Sequence, residues 1–382
     1  MSSSTPIVDI HTHIYPPSYI ELLKSRDEIP YIRQFPPATE HRLVILPAED
    51  TPSTSRGRPI GPEYYDIEQK IAFMNTHSIN ASIISLANPW LDWLPPTTAL
   101  QTAHSINTEI NHLCSLHPKR LYFFGTLPLS APVSSILASI THLTTLPHCR
   151  GIILGTTGLG TGLDDPSLLP IFTSLAAAQL PIFLHPHYGL PTSVFGPRGT
   201  DYGHVLPLAL GFPMETTIAV TRMILSSVFD SVPELQVILA HSGGTLPFLA
   251  GRIESCILHD AHLQKEGKLT QGRKTIWDIL KSNIWLDAVV YGEVGVRGAM
   301  GVSGTERVMF GTDAPFFPPL DDEEDASEKQ GKEGEKEGKK WLSVSLNMDA
   351  ISSACGAGSE EEKAVLGGNA IRLFGLELPV SA

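Results

Sequence analysis

Two histidines end an apolar segment, IVDIHTHIYPP, near the start of the 382-residue chain. If this segment is a strand, His11 and His13 point to the same face, because side chains alternate sides along a strand. Two imidazoles on one face, roughly 6–7 Å apart along the strand, can bind one metal ion. Two half-exposed histidines at a strand end would show the same spacing, so the metal interpretation requires further ligands elsewhere in the chain.

Eight short apolar segments of this kind recur along the chain, and each ends in or near Gly, Pro, Asn or His. Near-continuous apolar runs are typical of strands buried on both faces of a parallel sheet. Helix-compatible stretches lie between them, and eight strands alternating with helices over about 300 residues predict an α/β fold, a (β/α)8 barrel. The predicted strands are Ile7–His13, Ala81–Asn88, Leu121–Leu129, Arg150–Thr157, Pro181–His187, Leu235–Gly243, Ile284–Val290 and Arg307–Asp313.

The alternative architecture, a doubly wound open sheet, would place a glycine-rich phosphate loop after the first strand. HTHIYPP is not such a loop, and the glycine cluster Gly155–Asp165 lacks the lysine of a phosphate-binding motif. We therefore predict one barrel domain over residues 1–382. A low-complexity charged insertion at 321–340, with nine acidic residues against five lysines, interrupts it.

Polar residues fall at the predicted carboxyl ends of the strands, where barrel active sites are built. From this pattern we predict that the metal ligands are His11, His13, His185 and Asp313. His187 is an alternative to His185, while His241 could be a core histidine and Asp313 a helix cap. Three imidazoles and one carboxylate suit Zn²⁺, with Mn²⁺ or Fe²⁺ as alternatives. No lysine lies between Lys119 and Lys265, so a carboxylated lysine cannot bridge two ions there, and one ion is predicted.

Composition limits the partners and the compartment. The formal net charge of −13 argues against nucleic acid and anionic membranes as partners. The four cysteines are scattered without a disulfide-like spacing, which favours reduced thiols. The segment MSSSTPIVDI lacks the features of a signal peptide, and no apolar run reaches the roughly 20 residues of a membrane span. The sequence therefore predicts a soluble, cytoplasmic protein.

Longer motifs extend over nearly the whole chain and resemble the amidohydrolase superfamily. DIHTH, RGIILGT, FLHPH, LAHSGGTLPFLAGRI, MFGTDAPFFPP and LGGNAIRLFGL are similar to the branch that contains aminocarboxymuconate semialdehyde decarboxylase and the ortho-hydroxybenzoate decarboxylases. SLANPW, HPHYGLP and YGHVLPLALGFPMETTIAV resemble the fungal uracil-5-carboxylate (isoorotate) decarboxylases within it. The resemblance implies a metal-dependent carboxy-lyase.

The resemblance also implies roles for individual residues. It makes His11, His13, His185 and Asp313 the metal ligands and His241 the catalytic histidine. It implies that Arg58 and Asn88 contact the substrate and that Phe212 and Phe316 form the walls of an aromatic slot. Arg252 matches an arginine that reaches into the neighbouring subunit's site, which implies a homodimer.

The implied reaction requires a proton, because loss of CO2 from a flat ring would otherwise leave a carbanion that the ring cannot delocalise. Protonation of the carboxylate-bearing carbon by Asp313, with His241 relaying the proton, removes that difficulty. Uracil-5-carboxylate is the expected substrate. Two alternatives stay open: decarboxylation of a salicylate-type acid such as 6-methylsalicylate, and hydrolysis by a metal-activated water.

Overall fold

The computed structural model describes residues 5–52, 56–267, 269, 272–319 and 340–379. Eleven strands are present in these ranges, and eight of them form one parallel sheet in the order β1, β5, β6, β7, β8, β9, β10, β11. The strands are β1 (Val8–Ile14), β2 (Tyr31–Gln34), β3 (His41–Val44), β4 (Arg58–Pro59), β5 (Ala81–Leu86), β6 (Leu121–Gly125), β7 (Cys149–Gly155), β8 (Ile182–His185), β9 (Val237–Leu239), β10 (Ile284–Asp287) and β11 (Val308–Met309).

Helices connect consecutive barrel strands and cover the outside of the sheet. They are α1 (Pro17–Lys24), α2 (Ile67–Thr76), α3 (Pro96–Leu116), α4 (Val133–Thr144), α5 (Leu169–Ala177), α6 (Phe212–Leu225), α7 (Val228–Ser231), α8 (Leu246–His259), α9 (Ala261–Lys265), α10 (Ile276–Ser282), α11 (Glu293–Ser303), α12 (Leu342–Cys355), α13 (Glu360–Lys363) and α14 (Asn369–Phe374). The predicted (β/α)8 barrel is confirmed, because each predicted segment overlaps one barrel strand, in the predicted order.

The barrel closes between β1 and the chain that follows β11. His13 N donates to the carbonyl of Ala314 at 2.7 Å, and Asp313 N donates to the carbonyl of His11 at 2.8 Å. A Cβ atom at Gly311 would lie 2.6 Å from the Cβ of His11, so only glycine allows this approach. Closure therefore brings the segment after the last barrel strand, with Asp313, against the first strand, with its two histidines.

Buried polar side chains reinforce this closure from behind. Both carboxylate oxygens of Asp9 accept from Thr312, Oδ1 from the backbone N–H at 3.0 Å and Oδ2 from the hydroxyl at 2.7 Å. The ammonium group of buried Lys70, on α2, donates to the hydroxyl of Thr12. The residues beside the two histidines and beside Asp313 are thereby fixed relative to one another.

Two features were not predicted from the sequence. The strands β2, β3 and β4 form a small antiparallel sheet between β1 and α2, and Arg58 lies on its last strand. The predicted strands also run past the hydrogen-bonded ones, since Leu235–Gly243 contains β9 only over Val237–Leu239. The apolar pattern continues into the loops at the carboxyl ends because these loops are buried as well.

The charged segment predicted at 321–340 lies, apart from Lys340, outside the described residues. Among the described helices, the stretch Pro207–Leu225 is long and apolar enough to cross a membrane by length and composition. It packs on the barrel as α6 with the π-helical turn that precedes it, and it buries Glu215 and Thr216. A charged side chain buried against the barrel is a feature of a core helix.

Candidate active site

Four potential metal ligands converge at the carboxyl ends of three barrel strands. His11 and His13 come from β1, His185 is the last residue of β8, and Asp313 follows β11. One ligand atom from each of them lies within 4.8 Å of the others, and all four residues are buried. The parallel strands thus bring together residues that are up to 302 positions apart in the sequence.

The free imidazole nitrogens of this cluster fit a bound cation. The Nε2 atoms of His11, His13 and His185 are buried, and none has a hydrogen-bond partner in the described part of the protein. Asp313 Oδ1 lies 3.3 Å from His11 Nε2 and 3.5 Å from His13 Nε2. Three unpaired nitrogens and one carboxylate, shut off from water, form a donor set suited to one divalent ion.

The opposite nitrogens of these rings are held by the protein, which fixes which nitrogen faces the cluster. His11 Nδ1 lies 2.6 Å from Asp287 Oδ2, His13 Nδ1 lies 3.0 Å from Ser85 Oγ, and His185 Nδ1 donates to the carbonyl of Pro186 at 2.8 Å. Such partners orient a ligand imidazole and increase its basicity.

Asp287 is buried at the end of β10, and its carboxylate joins this ligand shell to His241. Oδ2 accepts from the His241 backbone N–H at 3.0 Å, and Oδ1 accepts from the N–H groups of Ser242 at 2.7 Å and Val289 at 3.1 Å. His241 and Ser242 have left-handed backbone conformations, with φ of 55° and 53°. The carboxylate stabilises this uncommon turn and so sets the position of the His241 side chain.

The cluster is strongly polarised by its carboxylates. Burial alone would lower the pKa of His11, but Asp313 and Asp287 outweigh it and raise that pKa to about 10. Burial lowers the pKa of His13 to about 4 and that of His185 well below its ordinary value. Burial opposes the charge on Asp313, yet His11 and the other imidazoles hold the pKa of Asp313 well below its usual range. The two carboxylates attract positive charge to the point where the imidazole nitrogens converge.

His241 lies on the open side of the cluster. Its Nε2 atom is 3.6 Å from Asp313 Oδ2, and its ring centroid is 5.1 Å from that of His11 and 5.3 Å from that of His185. His241 Nδ1 is buried without a hydrogen-bond partner among the described residues. Asp313 and His241 are therefore adjacent groups, slightly beyond hydrogen-bond distance of each other.

Arg58 and Asn88, the two residues predicted to contact the substrate, lie next to each other. Arg58 Nη2 donates to the carbonyl of Asn88 at 2.7 Å and to the hydroxyl of Tyr15 at 2.6 Å. Asn88 Nδ2 donates to the carbonyl of His187, while Asn88 Oδ1 is buried without a partner in the described structure. The side chain of Asn88 thus offers an unused acceptor, and one of the two hydrogens of its amide group is already bonded.

The two predicted aromatic residues lie at different distances from the four potential metal ligands. Phe316 is part of the wall, since its ring centroid is 5.5 Å from that of His13 and the Arg58 guanidinium lies 4.9 Å from the centre of its ring. Phe212, at the start of α6, is half-buried and approaches the backbone of Gly189 in the loop after β8. No described contact joins Phe212 to the four potential ligands.

Arg252 is exposed on α8, so the described chain does not bring it into its own site. His187, the alternative ligand, points elsewhere: its Nε2 lies 3.3 Å from Asp92 Oδ1, and its Nδ1 contacts the hydroxyl of Thr157. The geometry therefore selects His185 rather than His187 for the cluster.

Residues 8–376 match the profile of the amidohydrolase family. The chain belongs to that family. It is similar to the solved structure of IDCase (isoorotate decarboxylase) from Metarhizium anisopliae in apo form, at 55% identity and a TM-score of 0.91, with 98% of each chain covered. It is 30% identical to the 2-amino-3-carboxymuconate-6-semialdehyde decarboxylase of Dictyostelium discoideum over 310 residues, 81% of each sequence.

A more distant solved structure is similar in fold. It is the 5-carboxyvanillate decarboxylase of Novosphingobium aromaticivorans, complexed with manganese and 4-hydroxy-3-methoxy-5-nitrobenzoic acid, at 21% identity, a TM-score of 0.74 and coverage of 98% of this chain and 97% of that one. The relatives are decarboxylases, so the predicted enzyme class, a carboxy-lyase of the amidohydrolase family, is confirmed. A hydrolase is not favoured.

Sequence reasoning missed three residues at the site. Asp287 interrupts the apolar segment IWLDAVV at the carboxyl end of a predicted strand, and this is the signal that identified the other site residues. Tyr15 supports Arg58, and Ser85 supports His13. A tyrosine and a serine inside apolar segments carry no comparable signal, because both residue types are common in ordinary cores.

Proposed function

We propose that this protein is a metal-dependent decarboxylase that converts uracil-5-carboxylate to uracil and CO2. The observation that carries the proposal is the buried convergence of His11, His13, His185 and Asp313 beside His241. The identity of 55% to a solved isoorotate decarboxylase supports the pyrimidine as substrate.

The four convergent residues would hold one divalent ion, and we propose Zn²⁺ with Mn²⁺ as the competing candidate. The ion would act as a Lewis acid and template for the substrate carboxylate and for the oxygen on the neighbouring ring carbon. Removal of metal with a chelator should abolish turnover, and readdition of Zn²⁺ or Mn²⁺ should show which ion restores it. Metal analysis of the purified protein should give about one ion per chain. Full activity of the metal-free protein would contradict this assignment.

The chain's own residues supply the proton and the orientation of the ring. Asp313 and His241 are close enough to share a proton, which passes to the ring carbon that carries the carboxylate. The electrons of the breaking carbon–carbon bond then return to the ring as CO2 leaves. Arg58, whose Nη2 is held by Tyr15 and by the Asn88 carbonyl, would pair its guanidinium group with a substrate oxygen.

Asn88 favours a pyrimidine over a salicylate. Its buried Oδ1 has no partner among the described residues, so it suits a ligand that donates an N–H group. A uracil ring offers two N–H donors on its edge, whereas a 6-methylsalicylate ring offers only C–H groups away from its acid and hydroxyl. A buried acceptor left unpaired costs about 1–3 kcal/mol, which corresponds to about 5- to 150-fold in specificity.

A substrate panel tests the proposal. Metal-loaded protein is assayed with uracil-5-carboxylate and with 6-methylsalicylate by CO2 release and ring absorbance. Turnover of the pyrimidine with little or none of the salicylate is expected. Preference for the salicylate would retain the decarboxylase class and reject the Asn88 argument. Hydrolysis of an amide or lactone by the metal-loaded protein, without CO2 from either acid, would support the hydrolase instead.

We also propose that the protein acts as a homodimer in the cytoplasm. Arg252 lies one helical turn after Phe248 on α8, so the two share one face, and Phe248 is 90% exposed. Val294 on α11, which packs against α8, is 85% exposed. Large exposed apolar side chains around an arginine are typical of a subunit interface.

Subunit complementation tests the shared site. If Arg252 completes the partner's site, an Arg252→Ala variant and an Asp313→Asn variant should each be inactive. After the two are unfolded and refolded together, about a quarter of the sites should be intact, because half of randomly paired dimers contain one complete site. No recovered activity in a mixture that light scattering shows to be dimeric would contradict the role of Arg252. A monomer in solution would contradict the dimer itself.

A further inference from the structure

Tyr291 carries a buried hydroxyl group that the protein itself does not use. Tyr291 lies four residues after the end of β10, at the end of the barrel where the four potential metal ligands converge. Its Oη atom is shielded from solvent, and no hydrogen-bond partner lies near it in the described part of the chain. Because an unpaired buried hydroxyl is costly, a group of this kind requires an explanation.

The backbone holds Tyr291 in an uncommon conformation. Its φ is 55°, in the left-handed region that a bulky side chain rarely adopts. The side chain of Asn347, which is fully buried on α12, accepts from the Tyr291 backbone N–H at 2.9 Å. Backbone strain that the surroundings maintain is concentrated at functional sites. The orientation of the Tyr291 side chain is therefore set by the fold, although its hydroxyl gains no bond within it.

The surroundings of the ring place Tyr291 beside the site. Its centroid is 5.9 Å from that of Phe317, the neighbour of the slot residue Phe316. Burial raises the pKa of the Tyr291 hydroxyl far above its ordinary value, and the carboxylates of Asp313 and Asp287 raise it further. The hydroxyl is thus a neutral donor within electrostatic reach of the cluster, and nothing in the catalytic scheme above uses it.

We infer that the Tyr291 hydroxyl donates a hydrogen bond to an oxygen of the bound substrate and is a substrate-binding residue of this site. The ligand oxygen that it meets belongs to the carboxylate or to the ring oxygen next to it, since these are the anionic and acceptor groups that a decarboxylase of this type must hold beside Asp313. This inference rests on the proposed function, because it takes an ortho-oxygenated cyclic carboxylate as the ligand.

The variant Tyr291→Phe separates this role from a structural one, since it removes only the hydroxyl. If the hydroxyl has no partner until substrate binds, the variant should unfold at the same temperature as the wild type or a few degrees higher. Its KM for uracil-5-carboxylate, and its Kd for the nitro analogue 5-nitrouracil measured by calorimetry, should rise about 10- to 100-fold. Its metal content should be unchanged.

Tyr122→Phe is the matched control. The Tyr122 hydroxyl, on β6, is bonded at the other end of the barrel: it donates to the carbonyl of Glu377 at 2.7 Å and accepts from the Glu377 N–H at 3.2 Å. Removal of this satisfied hydroxyl should lower the unfolding temperature by several degrees and leave KM unchanged. The two tyrosine variants should therefore show opposite patterns of stability and affinity.

Two results would overturn the inference: a Tyr291→Phe variant that binds substrate and analogue as tightly as the wild type, or one that loses stability as Tyr122→Phe does. The failure of the proposed function is a different result, namely a metal-loaded wild type that releases no CO2 from either acid of the panel. In that case 5-nitrouracil binding and unfolding temperature still compare the variants, and an unchanged Kd refutes the inference.

Discussion

The carboxylate of Asp287 should control how tightly the site binds its metal, although it is not itself one of the convergent ligands. It accepts from His11 Nδ1 at 2.6 Å and from three backbone N–H groups at 2.7–3.1 Å. In the variant Asp287→Asn, one of the two oxygens is replaced by an NH2 group, which cannot accept. Whichever way the amide turns, two of the four donors lose their acceptor.

The more damaging orientation places the NH2 group toward His11. His11 Nδ1 would then have to accept, its proton would move to Nε2, and the nitrogen that faces the metal cluster would lose its lone pair. Loss of such a supporting partner typically weakens metal binding about 10- to 100-fold. We expect a decrease of that size in Zn²⁺ affinity, measured by competition with a chromophoric chelator under conditions where circular dichroism shows a folded variant.

Ser242→Ala provides the matched control. It removes a buried hydrogen bond of 2.8 Å from the Ser242 hydroxyl to the backbone carbonyl of the same Asp287, and leaves the carboxylate and its four donors in place. It should lower the free energy of unfolding by about 1 kcal/mol without changing the Zn²⁺ affinity. An Asp287→Asn variant that binds Zn²⁺ as tightly as the wild type would refute the proposed control of the His11 tautomer.

Two further predictions concern acid stability and substrate contact. Burial, helped by Lys340, lowers the pKa of His77 from 6.5 to about 4, so the unfolded chain takes up this proton first as the pH falls. Between pH 6.5 and pH 4, protonation of His77 should therefore lower the free energy of unfolding by about 2–3 kcal/mol, and the contribution is fully present above pH 6.5. Urea unfolding at several pH values should show that the free energy of unfolding of His77→Gln falls by that much less over this range. Identical curves would contradict this. Arg58→Lys removes the planar guanidinium group, which is bonded to Tyr15 and lies over the Phe316 ring. The KM for uracil-5-carboxylate should therefore rise about tenfold or more, with an unchanged unfolding temperature. A KM equal to that of the wild type would show that Arg58 does not contact the substrate.

The barrel could be predicted from the sequence because its eight strands are buried on both faces and so appear as apolar runs. The four convergent residues could be predicted because each one interrupts or ends such a run with a group that an apolar core would exclude. The small sheet of β2–β4 could not, since its strands are only two to four residues long and partly exposed. A segment such as Arg58–Pro59 carries no periodicity.

Details of hydrogen bonding were also beyond the sequence. The Asn88 amide group donates to the carbonyl of His187, almost a hundred residues away, and no motif in the sequence indicates this bond. The unused hydroxyl of Tyr291 likewise depends on which groups the fold leaves without a partner. Motifs identify residue types at strand ends, whereas the partners of each polar atom are determined by contacts distant in the sequence.

The central claim is that His241 and Asp313 deliver a proton to the substrate ring next to a bound metal. The most direct measurement is the release of labelled CO2 from carboxyl-labelled uracil-5-carboxylate by metal-loaded wild type and by His241→Asn, which retains all four proposed ligands. We expect the wild type to release one CO2 and one uracil per substrate. The rate of CO2 release by the variant, at equal metal content, should be lower by a factor of at least about 100. A His241→Asn variant that releases CO2 at the wild-type rate would contradict the account.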